Sequence, residues 1–153
     1  QFLGNILRGK DIQLVDGGTQ KRCFIYIDDA IAALMKIIEN KDGIADQRIF
    51  NIGFPQAELS VAELAEMMLD VVSEFPGYAD VRDRVKLVPV SSGEYYGKGY
   101  QDMLVRVPSI KAIKSLGWEP TTDVRTAIRK TVEYYIDEFS AGAAGKSAQN
   151  DLL

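Results

Sequence analysis

Two arginines in this sequence lie beside segments that otherwise look apolar. Arg22 follows the turn sequence Asp16–Gly18 and opens a β-prone run, and Arg106 lies between Val105 and Val107. A guanidinium offers a planar fork of donors that suits bidentate phosphate binding, and glycines let backbone N–H groups turn toward an anion. The segment that ends at Arg22 is therefore a candidate anion site.

Each arginine also has a simpler interpretation. Asp-Gly-Gly is a common β-hairpin turn, which would leave the adjacent cations in solvent. A lone arginine at a strand end usually forms a surface ion pair. In an apolar setting Arg106 stays protonated, so it could serve as an electrostatic clamp or, unusually, as a proton donor. The residues alone leave these alternatives open.

Other candidates for chemistry have structural explanations. Asp28 and Asp29 are well placed to cap a helix, and Cys23 reads as a small core residue rather than a nucleophile. Tyr95 and Lys98 are three residues apart, whereas a helical Tyr/Lys relay pair needs a spacing of four. The sequence contains no GxGxxG, P-loop or CxxC motif,.

Composition excludes several function classes. The chain has 153 residues, 46% of them hydrophobic, and a net charge of −4, which fits one globular domain and argues against nucleic acid or an anionic membrane as partner. The absence of histidine excludes a His-based triad and His-ligated zinc,. A single cysteine permits no internal disulfide and favours the reducing cytoplasm,.

Periodicity predicts alternating strands and helices, and hence a mixed α/β fold. We predict strands over 12–16, 22–27, 48–53 and 86–90. We predict helices from Asp28 or Asp29 to about Glu39, from a Ser60–Glu63 capping box onward, from Ser109 to Leu116, and from Asp123 onward,. The first residues of the chain have the pattern of a helix already under way, which suggests a piece of a longer protein. The small and polar composition of residues 140–153 predicts a disordered tail.

Three stretches together resemble a known family. These are "DGGTQKRCFIYIDDAIAAL", "FNIGFPQAELSVAELAEMML" and "SSGEYYGKGYQDMLVRVPSIKAIKSLGWEP". They are similar to the C-terminal part of extended short-chain dehydrogenases that act on nucleotide sugars. The resemblance is strongest to the UDP-glucuronate decarboxylase half of the bifunctional polymyxin-resistance enzyme. It covers nearly the whole chain, to about Phe139, and "YYGKGYQD" followed by R-x-P-S is its most specific part.

The resemblance implies roles for individual residues. It places the proton donor that acts after CO₂ loss on Arg106, a tyrosine near the substrate on Tyr100, and the UDP diphosphate contact on Arg22. The family carries lysine where this chain has Gln13. The implied substrate-binding residues are Gln13, Leu14, Val15, Asp16, Gly17, Gly18, Thr19, Gln20, Lys21, Arg22 and Tyr100.

The resemblance also implies a fold, a cofactor and partners. Residues 1–139 would form the C-terminal, mainly nucleotide-sugar-binding lobe of a Rossmann-type enzyme. The cofactor would be NAD, bound by parts of the family's polypeptide that this sequence lacks. The partners would be a UDP-sugar and other copies of the protein, on the route to aminoarabinose-modified lipid A. The fragment alone would be inactive.

Two other functions stay open at this point. The same fold would serve a UDP-xylose synthase or a nucleotide-sugar epimerase or dehydratase, because "NIG" and "LGWEP" are shared with those relatives. A stand-alone nucleotide-binding or scaffolding module, without catalysis, is the third interpretation.

Overall fold

The computed structural model describes residues 1–97, 99 and 102–150, with side chains described as far as residue 137. It has a mixed α/β fold, as the sequence predicts, with two small sheets and helices that pack against β1 and β3. The strands are β1 (Ile12–Val15), β2 (Lys21–Cys23), β3 (Glu58–Ser60), β4 (Leu87–Val90) and β5 (Val105–Arg106). The helices are α1 (Phe2–Leu7), α2 (Ile27–Glu39), α3 (Val61–Ser73), α4 (Val81–Arg84), α5 (Ser92–Tyr95), α6 (Lys111–Lys114) and α7 (Val124–Asn150).

The first sheet pairs β1 with β4 in parallel, from Ile12 opposite Leu87 to Val15 opposite Val90. Its apolar side chains join those of α1, α3 and α7 in the larger core. The buried members of this core are Leu3, Ile6, Ile12, Leu14, Ala65, Leu69, Val71, Val72, Val81, Val85, Ile128 and Val132. This packing anchors β1, whose end leads into the candidate anion site.

The second sheet has the order β3–β2–β5. Strand β2 is antiparallel to β3, with Cys23 opposite Glu58, and parallel to β5, with Arg22 opposite Arg106. Side chains at paired positions of neighbouring strands lie on the same face of a sheet. The two arginines singled out in the sequence are therefore cross-strand neighbours.

Two of the predicted helix caps form, at Ser60 and Asp123, whereas the helix predicted from Ser109 to Leu116 is shorter: α6 spans Lys111–Lys114, with Ile110 at its cap position and no side-chain cap hydrogen bond. The Ser60 hydroxyl accepts from the Glu63 N–H at 3.0 Å, and the Glu63 carboxylate accepts from the Ser60 N–H at 2.7 Å. Asp123 likewise accepts from the Thr126 N–H at 3.0 Å at the start of α7. Each cap satisfies helical N–H groups that would otherwise lack a partner.

The prediction for residues 22–29 is partly wrong. The strand spans only Lys21–Cys23, and α2 begins at Ile27, with Tyr26 rather than Asp28 or Asp29 at its cap position. Asp29 lies in the first turn and is 8% exposed. Its carboxylate accepts hydrogen bonds from the segment before α7, so the tertiary structure takes it away from capping.

The strand predicted over residues 48–53 is also wrong. These residues form no strand, and Ile49 is 92% exposed. A strand needs a neighbour to accept its backbone hydrogen bonds, and no described strand lies against this segment. The second core forms beside it from the buried side chains of Ala33, Ile110, Ile113 and Trp118, against which Phe50 and Ile52 pack.

Helix α7 continues to Asn150 and so enters residues 140–153, whose disorder stays a prediction. Within the described residues, no helix is both long and apolar enough to span a membrane.

Candidate functional site

The Asp16–Gly18 turn carries the chain from one sheet to the other. Strand β1 pairs with β4, whereas β2 pairs with β3 and β5, so the hairpin considered for this turn is not what forms. Three consecutive residues have positive φ, namely Asp16 at 48°, Gly17 at 70° and Gly18 at 67°. Asp16 tolerates this conformation because its carboxylate accepts from the Ser92 N–H at 2.9 Å,.

The two glycines of the turn differ in their surroundings. A Cβ on Gly18 would lie 2.9 Å from the backbone nitrogen of Ala62, in the first turn of α3. A Cβ on Gly17 would meet nothing within 4 Å. Gly18 is thus required by close packing as well as by its backbone conformation, whereas Gly17 leaves space that a ligand can approach.

Arg22 joins β2 to the segment that precedes β5. Its Nη1 donates to the carbonyl oxygens of Lys21, at 2.7 Å, and Met103, at 2.8 Å. Its Nη2 lies 2.7 Å from both carboxylate oxygens of Asp102. The side chains of Arg22 and Asp102 are 21% and 27% exposed. The guanidinium therefore already holds an anion, a carboxylate of the chain itself.

Arg106, the predicted proton donor, lies beside Arg22 on the exposed strand β5. Among the residues that the structure describes, its side chain has no hydrogen-bond or ion-pair partner. The surface ion pair considered for Arg106 is therefore not formed with a described residue. As far as the described residues show, a guanidinium without a partner therefore lies next to one that is paired with Asp102.

A small cavity of about 130 Å³ lies next to these elements. Gln13, Val15 and Gln20 of the predicted substrate segment line it, together with Asp102. The rings of Tyr95 and Tyr96, 4.7 Å apart between centroids and edge to face, form another part of its wall. Tyr100, predicted to lie near the substrate, falls outside the described residues.

The remaining predicted residues do not all face this cavity. The Leu14 side chain is 5% exposed and packs in the larger core, so a ligand contact there would involve its backbone. Gln20 is 7% exposed and donates to the Val15 carbonyl at 3.3 Å. Thr19 donates to the Asp16 carbonyl at 3.5 Å. Lys21 Nζ lies 3.8 Å from Glu58 Oε1.

Cys23 has the features of an unreactive thiol. Burial, and then the nearby Glu58 carboxylate, raise the pKa of Cys23 above its ordinary value. The thiol faces the Pro55 carbonyl at 3.7 Å. Because the thiolate is the nucleophilic form, these contacts support the interpretation of Cys23 as a packing residue.

The part of the chain that the structure describes has no group of three or more His, Cys, Asp or Glu side chains able to hold a metal ion. A larger cavity, of about 660 Å³, lies between residues 24–28, α3 and α7. Its lining is mostly apolar and includes none of the predicted site residues. It is therefore separate from the candidate anion site.

Asp102 is the site residue that sequence reasoning missed. It is 80 residues from Arg22, and an ion pair over that separation leaves no mark in local spacing. Helix α5 was missed as well, although Ser91 and Glu94 form a capping box at its start. The Ser-x-x-Glu spacing would have revealed that helix.

Comparison with known proteins gives the family of the first third of the chain. Residues 1–53 match the NAD dependent epimerase/dehydratase family. The PbgP3 protein from Burkholderia pseudomallei is 49% identical over 84% of this chain, with a TM-score of 0.73. The chain spans only 35% of that protein.

Two more distant structures share the fold. A UDP-glucose 4-epimerase from Thermotoga maritima, solved with UDP-glucose, is 24% identical over 90% of this chain and 38% of its own, with a TM-score of 0.67. A dTDP-glucose 4,6-dehydratase from Bacillus anthracis, solved in complex with NAD, is 17% identical over 89% of this chain and 37% of its own, with a TM-score of 0.63.

The Asp16–Gly18 turn does not have the form of a dinucleotide-binding loop. The paired glycines at 17 and 18 lead into a strand, not into the helix that a dinucleotide-binding loop opens,. Ala62 also packs directly against Gly18, so no space for a ligand is left on that side of Gly18. Over its first 53 residues the chain is therefore similar to the NAD dependent epimerase/dehydratase family, and over most of its length it is similar to the PbgP3 protein.

Proposed function

We propose that this chain is the nucleotide-sugar-binding part of an enzyme that oxidatively decarboxylates UDP-glucuronate to a UDP-4-keto-pentose, with NAD⁺ as oxidant. In this proposal Arg22 and the open turn at Gly17 hold the diphosphate, and Arg106 is the proton donor. The route served would be the aminoarabinose modification of lipid A that underlies polymyxin resistance. The protein would act in the cytoplasm as a homo-oligomer.

The observation that carries the proposal is the register of β2 and β5. It places Arg106, without a partner among the described residues, beside Arg22 on one face of a sheet. A diphosphate and a sugar are joined, so the groups that bind one and protonate the other must be neighbours. The 49% identity to PbgP3, which extends across most of this chain, supports a close functional relationship to that protein.

Arg106 has a chemically defined task in this reaction. When the carboxylate leaves a 4-keto sugar as CO₂, its bonding electrons remain as an enolate, which takes up a proton at C5. A guanidinium stabilises the developing negative charge and can deliver that proton.

The reaction is tested by incubating the complete gene product with UDP-glucuronate and NAD⁺. We expect one CO₂ and one NADH for each UDP-4-keto-pentose formed, measured by mass spectrometry and absorbance at the NADH band. UDP-xylose without net NADH would instead identify a UDP-xylose synthase, the second candidate. A UDP-sugar that keeps its carboxylate would point to an epimerase or dehydratase.

The role of Arg106 is tested with Arg106→Ala in the same complete protein. We expect CO₂ release to fall about 100-fold, the usual scale for losing a general acid, while binding of UDP and NAD⁺ stays unchanged. Arg106→Lys, which keeps the charge but not the fork of donors, is the matched control and should retain part of the rate. Unchanged CO₂ release in Arg106→Ala would remove this residue from the mechanism.

A further inference from the structure

Asp102 stands where the proposed ligand would bind. Its carboxylate lines the 130 Å³ cavity together with Gln13, Val15 and Gln20, and it occupies Nη2 of Arg22 with both oxygens at 2.7 Å. The Asp102 carboxylate also accepts a hydrogen bond from the backbone N–H of the next residue, Met103, at 2.8 Å. An anion brought to Arg22 would therefore meet a negative charge already in place.

The donors of Arg22 are largely used. Nη1 donates to the backbone carbonyl oxygens of Lys21 and Met103, and Nη2 donates to the Asp102 carboxylate. A guanidinium has five N–H donors, so little capacity remains while Asp102 is bound. A diphosphate can gain strong charge-assisted hydrogen bonds from Nη2 only if the carboxylate leaves it.

Displacement of Asp102 is feasible because the pair is partly accessible to solvent. Both side chains are partly exposed, at 21% and 27%, so water can solvate the carboxylate when it is released. Solvent-accessible ion pairs contribute little net stability. A diphosphate carries more charge than one carboxylate, so it has the stronger attraction for the guanidinium.

We propose that Asp102 is an internal competitor for Arg22, which an incoming nucleoside diphosphate displaces, and that it thereby sets the affinity of the site. This inference rests on the proposed function, in which Arg22 contacts the diphosphate. The competitor has a second use: it neutralises Arg22 in the unliganded protein, so that the cross-strand pair with Arg106 does not place two uncompensated cations side by side,.

The test compares UDP affinities of the complete gene product and its variants by isothermal titration calorimetry. Asp102→Asn keeps the shape of the side chain but removes the competing charge. We expect UDP to bind about fivefold more tightly to this variant, the factor that corresponds to one exposed ion pair. Asp83→Asn, at an exposed position of α4, removes the same charge elsewhere and should leave the affinity unchanged.

Two outcomes separate this inference from the proposed function. If Arg22→Ala leaves UDP affinity unchanged, the proposed diphosphate contact is wrong, and the competition falls with it. If Arg22→Ala weakens UDP binding but Asp102→Asn, with an unchanged melting temperature, does not tighten it, only the competition is overturned. In the Arg22→Ala background the Asp102→Asn effect should vanish, because the competed group is gone.

Should Asp102→Asn lower the melting temperature, Asp102→Glu provides the second measurement. It keeps the charge with a longer arm, so under the competition model UDP affinity should remain near that of the unaltered protein rather than tighten. Tightening in both variants would show that the charge of residue 102 is not what limits binding, and would overturn the inference.

Discussion

At the scale of single residues, the clearest structural assignment is Asp29. Its carboxylate accepts from the N–H groups of Thr121, at 3.2 Å, and Thr122, at 2.9 Å, and from the Thr121 hydroxyl at 3.0 Å. Burial raises the pKa of Asp29, but these hydrogen bonds outweigh it and hold the pKa below the ordinary 3.8. Asp29 thus fastens the start of α2 to the segment before α7.

This contact has a defined pH dependence. Because the folded-state pKa is lowered, the stabilisation is complete above the unfolded-state value and is lost as the pH falls through the folded-state value. We expect Asp29→Asn to reduce the free energy of unfolding by about 1–3 kcal/mol at pH 7, since an amide nitrogen cannot accept the N–H donors. Denaturant unfolding at a series of pH values measures this difference in the free energy of unfolding.

The difference between the two proteins should shrink below pH 4, where the natural carboxylate itself becomes protonated. Asp28→Asn, at the exposed neighbour that makes none of these contacts, is the matched control. A difference that stays constant from pH 7 to pH 3 would contradict the assignment.

At the scale of elements, the Asp16–Gly18 turn determines how the two sheets meet. It redirects the chain within three residues, all with positive φ, from β1 in the larger core to β2 beside the site. The same turn packs against the start of α3, whose capping box fixes where that helix begins. The position of Arg22 therefore depends on this turn.

The two glycines of the turn offer a matched pair of substitutions. Gly17→Ala should cost about 1 kcal/mol, because only the left-handed backbone is strained. Gly18→Ala should cost about 2–4 kcal/mol, because the new methyl group also meets the Ala62 nitrogen,. Denaturant unfolding of both variants measures the difference in the free energy of unfolding. Equal decreases in the two variants would mean that α3 moves away from the new methyl group without a free-energy cost.

At the scale of the whole molecule, the most notable feature is an apolar surface. Ile27, Ile31, Leu34, Met35 and Ile38 are 49–73% exposed and recur at helical spacing along one face of α2. The exposed Ile49 belongs to a β-prone segment without a strand partner among the described residues. Contiguous apolar surface of this kind is typical of a face that packs against other protein.

The residues of this chain span 35–38% of the length of the solved proteins described above. What they supply is the candidate anion site and a proton-donor candidate.

The sequence by itself determined the features that depend on neighbours within one or two helical turns. The Ser60–Glu63 capping box, the helix periodicity and the presence of a turn at Asp16–Gly18 were correctly predicted, because the signals that specify them involve residues four or fewer positions apart,. The family resemblance, carried by short motifs, agrees over residues 1–53 with the match to the NAD dependent epimerase/dehydratase family. The mixed α/β class followed from the same local patterns.

Only the tertiary structure decided which distant groups meet. It paired Arg22 with Asp102 and with the Arg106 position, gave Asp29 to Thr121 instead of a helix cap, and left residues 48–53 without a strand. A carboxylate has the same local pattern whether its partner lies three or ninety residues away. Strand formation likewise depends on a neighbouring edge, which no local sequence encodes.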